Sequence, residues 1–489
     1  MFACATTGLK GKGKNMSRKE VLLGVVPTRR DLSGEFFCNS NVALERKRQV
    51  EAKLSQMGIA YINIDFLNEE GIIRNGLDAE KTAAYLREKG VDALFMPHLN
   101  FGCEDAVAKV GKLLNKPLLL WGPRDGAPDA AGNRCTDSQC GLFATGKVLN
   151  QFGVPFTYMT NCRVEDEVFD RVLNNFLAAS LVVKSFYGMR IGQFGVRPET
   201  FWSVKCNERQ LLERFGIEVV PITMLEVEAM YKEAISNREV LKERVRYYKD
   251  NFDVRIEEEY LYRTAAMYTA ISHWAKEYKI DGIASSCWEP MRQIAGISSC
   301  FTFAELTDAG LPVACEMDIH GAISSCMAQA ASGWKQTSFL ADITARHPDN
   351  DNAELFWHCG NFPRSVAGKD HKAAISASFD EGRPSVGKFE LDKGTVTICR
   401  FDGSADDYQL LSARGKVVEG PVTTGTYGWI EFEDWPAIEH RVVTGPYIHH
   451  CAGIYADIAP VLYEACRYIP GLHADPMQPD AAQIEKFLK

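Results

Sequence analysis

The sequence predicts an α/β protein, with two Rossmann-like domains built on parallel sheets and then a β-rich, barrel-like C-terminal domain. Three observations lead there. Strand-length apolar runs alternate with helix-length segments as far as about residue 345. The series restarts after a long amphipathic stretch that ends near residue 187. Beyond residue 345 the runs become short, alternating and punctuated by glycine.

In the first series, VLLGVV (21–26) is an apolar run ended by Pro27, and Val42 to Met57 reads as a helix. IAYINI (59–64), a helix over 79–90, VDALFMP (91–97), a helix over 104–115 and PLLLWG (117–122) follow. Strands separated in this way need crossover connections, which makes the sheet parallel. A helix over 164–187 opens the second series. MRIGQFGV (189–196), a helix over 206–215 and IEVVPI (217–222) come next, then long helical stretches over 223–250 and 255–279. DGIASSC (281–287), LPVACEM (311–317) and TSFLADI (337–343) are read as further strands of the second sheet. RHPDNDN (346–352) reads as a polar link, KFELDKGTVTICRFDG (388–403) as antiparallel strands around a Lys-Gly turn, and 457–468 as a helix. The expected division is a disordered extension over 1–18, α/β domains over 19–165 and 166–345, and a β-rich domain over 346–489.

Composition narrows the function classes. A chain of 489 residues exceeds what one hydrophobic core serves. A net charge of −9 argues against a nucleic-acid partner, which needs a basic surface. Without a run of about 18 uncharged apolar residues, no membrane span is expected. The first residues carry positive charge but lack the apolar stretch of a secretory signal. Fifteen cysteines without a CxxC pair then read as reduced, mostly buried thiols rather than disulfides or a structural zinc site, and the expected compartment is the cytoplasm. Where a dinucleotide site needs GxGxxG after the first strand, the chain has PTRRD, which excludes a nicotinamide-type oxidoreductase.

Ligands of open α/β sheets bind at the carboxyl ends of strands. Glu316 closes LPVACEM and Asp342 closes TSFLAD, with a plausible helix (319–332) between them. Two neighbouring parallel strands ending in carboxylates are expected to share one divalent cation, and domain 166–345 is expected to carry both. Asp318, just before that helix, reads as its N-cap. His320 reads as a poor ligand, because Gly321 suggests that the strand has ended. Only ten histidines are present, and His358 in FWHCGNFP and the pair His449–His450 in GPYIHHCAGIY lie in cysteine-flanked apolar surroundings. Adjacent strand residues face opposite ways, so one of the pair at most is expected to point at a given site. Imidazole with two carboxylates suits manganese, magnesium, iron or cobalt, and manganese is the first choice for an oxygen-rich site with open positions.

The succession LPVACEMDIHGA, SFLADIT, FWHCGNFP and YIHHCAGIY, with the PTRRD loop and the MRIGQFG run, resembles the L-fucose isomerase family, within the wider fucose/arabinose isomerase fold. The resemblance runs over essentially the whole chain. It implies a manganese-dependent aldose–ketose isomerase, with cobalt or magnesium as substitutes, built as a homohexamer. Its metal-binding and catalytic glutamate is implied at Glu316, its second metal-binding carboxylate at Asp342 and its metal-binding histidine at His450. The related L-arabinose isomerases add a histidine that resembles His358. L-fucose isomerases lack that ligand, so His358 is implied either on the metal or beside its ligands. The chain is shorter than typical L-fucose isomerases, mainly in the C-terminal domain that supplies part of the sugar-binding wall.

The implied chemistry moves a proton between C1 and C2 of a sugar through an ene-diol, with Glu316 and Asp342 as the acid/base pair. Arg29 and Arg30 after the first strand, Trp288 in SSCWEP and His449 are the substrate-facing candidates. L-fucose, D-arabinose or a related sugar is the first expectation. The same chemistry on an anionic hexose such as sulfoquinovose is the alternative, for which Arg29, Arg30 and Arg364 offer positive charge. A non-catalytic sugar-binding protein is the rival from another class.

Overall fold

The computed structural model describes residues 20–30, 40–134, 136–287, 289–369, 372–378, 382–404 and 407–489. The expected extension over 1–18 and Trp288 lie outside the described residues. Five parallel strands form the first sheet: β1 (Leu23–Val25), β2 (Tyr61–Ile62), β3 (Ala93–Pro97), β4 (Leu118–Trp121) and β5 (Thr157–Tyr158), in the order β2-β1-β3-β4-β5. β3 and β4 are buried at every position, as strands of a parallel sheet covered by helices on both faces must be.

A second parallel sheet contains β6 (Arg190–Phe194) and β7 (Glu218–Ile222). β8 (Asp253–Val254) belongs elsewhere, and β9 (Gly282–Ser285) and β10 (Val313–Ala314) complete the order β10-β9-β6-β7. The expected helix over 223–250 is two helices, Met224–Ser236 and Arg238–Asn251. They break at Asn237, whose backbone leaves the helical region at φ −106° and ψ 68°.

The remaining strands are β11 (Ser338–His347), β12 (Asn350–His358), β13 (Ala374–Ala377), β14 (Pro384–Glu390), β15 (Gly394–Ser404), β16 (Asp407–Val418), β17 (Thr426–Glu431), β18 (His450–Ile454) and β19 (Leu472–Gln478). Antiparallel pairing runs β16-β15-β18-β11-β12-β17, and β17 pairs back to β16, so six strands close into a barrel. β19 adds to β16, while β14, β13 and β8 extend from β17.

The helix Ile319–Ala331 lies between the second sheet and the barrel. All 13 of its residues are buried, and it touches β9 and β10 on one side and β11, β15 and β18 on the other. Its sequence, rich in alanine, serine and glycine, lets flat neighbours approach from every side.

Three expectations are corrected by this architecture. TSFLADI is not a parallel strand of the second sheet: it is the start of β11, antiparallel to β12 and β18 in the barrel. Its first four residues are buried because the central helix covers the barrel there, and a strand buried on both faces looks alike in either kind of sheet. RHPDNDN is no link but the hairpin between β11 and β12. β14 and β15 flank the Lys-Gly turn without pairing to each other; each finds its partners elsewhere in the sheet.

Candidate metal centre

β10 ends at Ala314, and the chain then turns sharply. Glu316 (φ 61°) and Met317 (φ 62°) are consecutive non-glycine residues in the left-handed region, an arrangement that costs about 1–2 kcal/mol per residue. The Met317 N–H donates to the Ser285 carbonyl on β9 at 3.1 Å, and the Asp318 N–H to the Cys315 carbonyl at 3.1 Å. This strained turn carries Glu316 off the sheet edge and sets Asp318 to cap the central helix, where it accepts from the Gly321 N–H at 2.9 Å.

The barrel supplies the other groups. Asp342 sits in the middle of β11, opposite His450 on β18 on one side and Trp357 on β12 on the other. His358 ends β12. His450 Nε2 lies 3.2 Å from Glu316 Oε2 and 3.5 Å from Asp342 Oδ1, and His358 Nε2 lies 4.0 Å from Asp342 Oδ1. Ligand atoms of Glu316, His449 and His450 also lie within 4.8 Å of one another.

Behind His450 runs a chain of buried polar groups. His450 Nδ1 is 3.0 Å from Asp318 Oδ2. Both guanidinium arms of Arg400 donate to Asp318, the Nη2 arm at 3.1 Å, and the same side chain holds Asp402 Oδ2 through Nε at 2.9 Å. Asp402 Oδ1 in turn meets His320 Nδ1 at 2.9 Å.

The donor set fits a divalent cation. Asp342 Oδ1, His358 Nε2 and His450 Nε2 are all buried, and among the described residues none makes an aligned hydrogen bond although they crowd together. Buried polar atoms without partners are rare, and a carboxylate–imidazole set of this kind is a hard-to-borderline metal site. Burial by itself would raise the Glu316 carboxyl, but the imidazoles of His450, His358 and His449 outweigh it and hold the group below its ordinary range. Burial likewise lowers His450, yet Asp318 and Glu316 push it up to about 10 in the absence of a cation.

Parts of the chain are similar to known proteins. Residues 24–187 match the family described as "Fucose/sulfoquinovose isomerase, N-terminal domain". A sulfoquinovose isomerase of Priestia aryabhattai is 26% identical over 385 residues, spanning 78% of this chain and 84% of that protein. A second, from Alkalicoccus urumqiensis, is 25% identical over 330 residues, 68% of this chain and 73% of that one. Residues 24–187 are thus similar to the N-terminal domain of fucose and sulfoquinovose isomerases.

Glu316, Asp342, His450 and His358 come together from the second sheet and the barrel rather than from one sheet. The expectation that only one of His449 and His450 approaches the site is corrected. β18 begins at His450, so His449 precedes the pleat and escapes its alternation; the two rings lie 4.3 Å apart and both reach the cluster. Arg29 and Arg30 stand instead at the carboxyl end of β1. Arg29 is buried against Glu70 at 2.8 Å, and Arg30 reaches Glu104 at 3.2 Å while lying over the Phe101 ring. Arg364 lies over Phe252, in the short helical turn that follows Pro363. Asp318 caps its helix as expected, but the bonds to His450 and Arg400 were missed, and Arg400 and Asp402 were not singled out. A readable signal existed: in TVTICRFDG Arg400 and Asp402 stand two apart, on the strand face that otherwise carries Val396 and Ile398.

Proposed function

We propose that this chain is an aldose–ketose isomerase that acts on an anionic hexose of the sulfoquinovose type with the aid of a divalent cation, manganese being the first choice. The observation that carries the reading is the convergence of Glu316, Asp342 and His450, with Asp342 Oδ1 and His450 Nε2 buried without a hydrogen-bond partner among the described residues. The names of the similar proteins support the substrate class. L-fucose and D-arabinose rest on the sequence resemblance alone. A sugar-binding protein without chemistry has no need of two carboxylates and an imidazole held in this way. No helix among the described residues is long and apolar enough to cross a membrane. A homohexamer completes the reading by family resemblance, and a cytoplasmic location by the reading of the fifteen cysteines as reduced thiols.

Glu316, Asp342 and His450 would hold the cation, with His358 and His449 beside them. When bound, it would supply Lewis-acid stabilisation for negative charge on the two sugar oxygens. The chain's own groups then handle the protons. Glu316, kept ionised by its imidazole neighbours, takes the proton from one carbon and returns it to the other. Asp342, from the barrel side, shifts the proton between the two oxygens.

The test is conversion of sulfoquinovose, L-fucose and D-arabinose by metal-stripped protein reloaded with Mn2+, Co2+ or Mg2+. Preferred conversion of sulfoquinovose, only after reloading, with solvent deuterium entering the ketose, is expected. Unchanged turnover without any cation would overturn the metal reading; no conversion of any sugar would overturn the isomerase.

A further inference from the structure

We infer that Asp318 is a positioning residue for His450, and that the buried Arg400–Asp402 pair exists to hold the Asp318 carboxylate against the Nδ1–H of that imidazole. This rests on the metal-centre reading given above. Helix capping alone does not account for Asp318. A cap needs one oxygen, and Asp318 Oδ1 supplies it to Gly321. Asp434 and Asp480 cap their helices in the same way from exposed positions. Asp318, Arg400 and Asp402 are instead only 0, 2 and 5% exposed. Burying three charges is costly, and it persists where their arrangement serves something besides a cap.

The arrangement faces His450. Asp318 Oδ2 accepts from Nδ1, which directs the opposite nitrogen, Nε2, at Glu316 and Asp342. A carboxylate held against Nδ1–H strengthens Nε2 as a donor toward a cation. Arg400 grips Asp318 with two arms and Asp402 with Nε and Nη2, so the carboxylate cannot swing away. Asp402 is itself pinned by His320. Gly321 completes the fit: a Cβ there would stand 2.5 Å from Asp318 Oδ2.

The experiment measures Mn2+ affinity of the metal-stripped protein by titration, together with its melting temperature. The variants are Asp318→Asn, Asp318→Glu, His450→Gln and the double variant Asp318→Asn/His450→Gln. Asp318→Glu keeps the charge opposite Arg400 and carries the test if Asp318→Asn does not fold. Both single Asp318 changes are expected to weaken Mn2+ binding about 10- to 100-fold, as loss of a ligand's supporting partner does. In the His450→Gln background, Asp318→Asn is expected to weaken binding no further while still lowering the melting temperature, because only the first effect passes through the imidazole. Wild-type affinity in Asp318→Glu, alongside weakened binding in His450→Gln, would overturn this inference alone. So would losses that add in the double variant. A wild-type protein that binds no Mn2+ would bring down the metal-centre reading and this inference with it.

Discussion

Asp342 on β11 and His450 on β18 are cross-strand partners in the closed barrel, with His450 Nε2 3.5 Å from Asp342 Oδ1. Side chains at opposed positions of an antiparallel pair lie on one face of the sheet, so this register by itself brings a carboxylate and an imidazole together. Glu316 reaches the same point from another sheet, 3.2 Å from His450. The site is therefore a joint between the two layers, and disturbing either should open it.

Loss of the barrel ligands should be felt in binding before anything else. Asp342→Asn and His450→Gln are each expected to weaken Mn2+ affinity by at least about tenfold, with little change in far-ultraviolet circular dichroism. Isothermal titration of the stripped protein reads this directly, and wild-type affinity in either variant would remove that residue from the centre.

Glu316→Gln is nearly isosteric and cannot take a proton at neutral pH. Turnover is expected to fall about 100- to 10,000-fold, the range that a positioned acid/base group contributes. Steady-state kinetics at saturating cation separates this from weaker metal binding; a residual rate within about fivefold of wild type would refute the role.

Removal of the cation should cost stability as well as activity. A ligand at 100 times its dissociation constant stabilises the folded state by about 2.7 kcal/mol. Stripping with a chelator is thus expected to lower the melting temperature, and restored Mn2+ to raise it. An unchanged melting curve would mean that no cation is held by the folded chain.

Gly321→Ala tests the close packing under the central helix. Alanine favours a helix by about 1 kcal/mol over glycine, yet its Cβ would lie 2.5 Å from Asp318 Oδ2. Overpacking is expected to win, with a net loss of about 1–3 kcal/mol measured by denaturant unfolding. A stabilised variant would show that the helix can move away from Asp318.

Glu305 gives a pH-dependent outcome away from the site. It is 4% exposed, and burial pushes it up to about 7 against the opposing pull of Arg244, whose Nη1 is 3.3 Å away. The folded state therefore holds this proton to a higher pH than the unfolded chain, where the carboxyl titrates near about 4.3. The contribution of Glu305 to stability is complete at acid pH, declines as pH rises through that interval, and levels off above about 7. Glu305→Gln lacks the titration, so its melting temperature relative to wild type should climb between about pH 4 and 7 and then level off. A constant difference over that range would contradict it.

Much of the site was legible as residue types. Glu316 stands out as an acid closing an apolar run, and His358 and His450 as rare histidines in apolar, cysteine-flanked settings. The two strained φ angles at Glu316 and Met317 were not legible, because neither residue type favours them. Nor was the membership of TSFLADI, since a continuous apolar run reports burial on both faces without saying which sheet provides it. His449 was misjudged for a related reason: alternation holds only inside a strand, and the residue at which β18 begins is set by its partner β11.

By itself the sequence determined the α/β alternation, the shift to a β-rich end and the residue types able to hold a divalent cation, because hydrophobic period and side-chain chemistry are local properties. Only the tertiary structure decided that Asp342 faces His450 across a barrel seam, that His449 joins them, and that Asp318, Arg400 and Asp402 stand buried behind the imidazole. Those relations depend on strand register and on burial between layers, which arise from contacts among residues far apart in the chain.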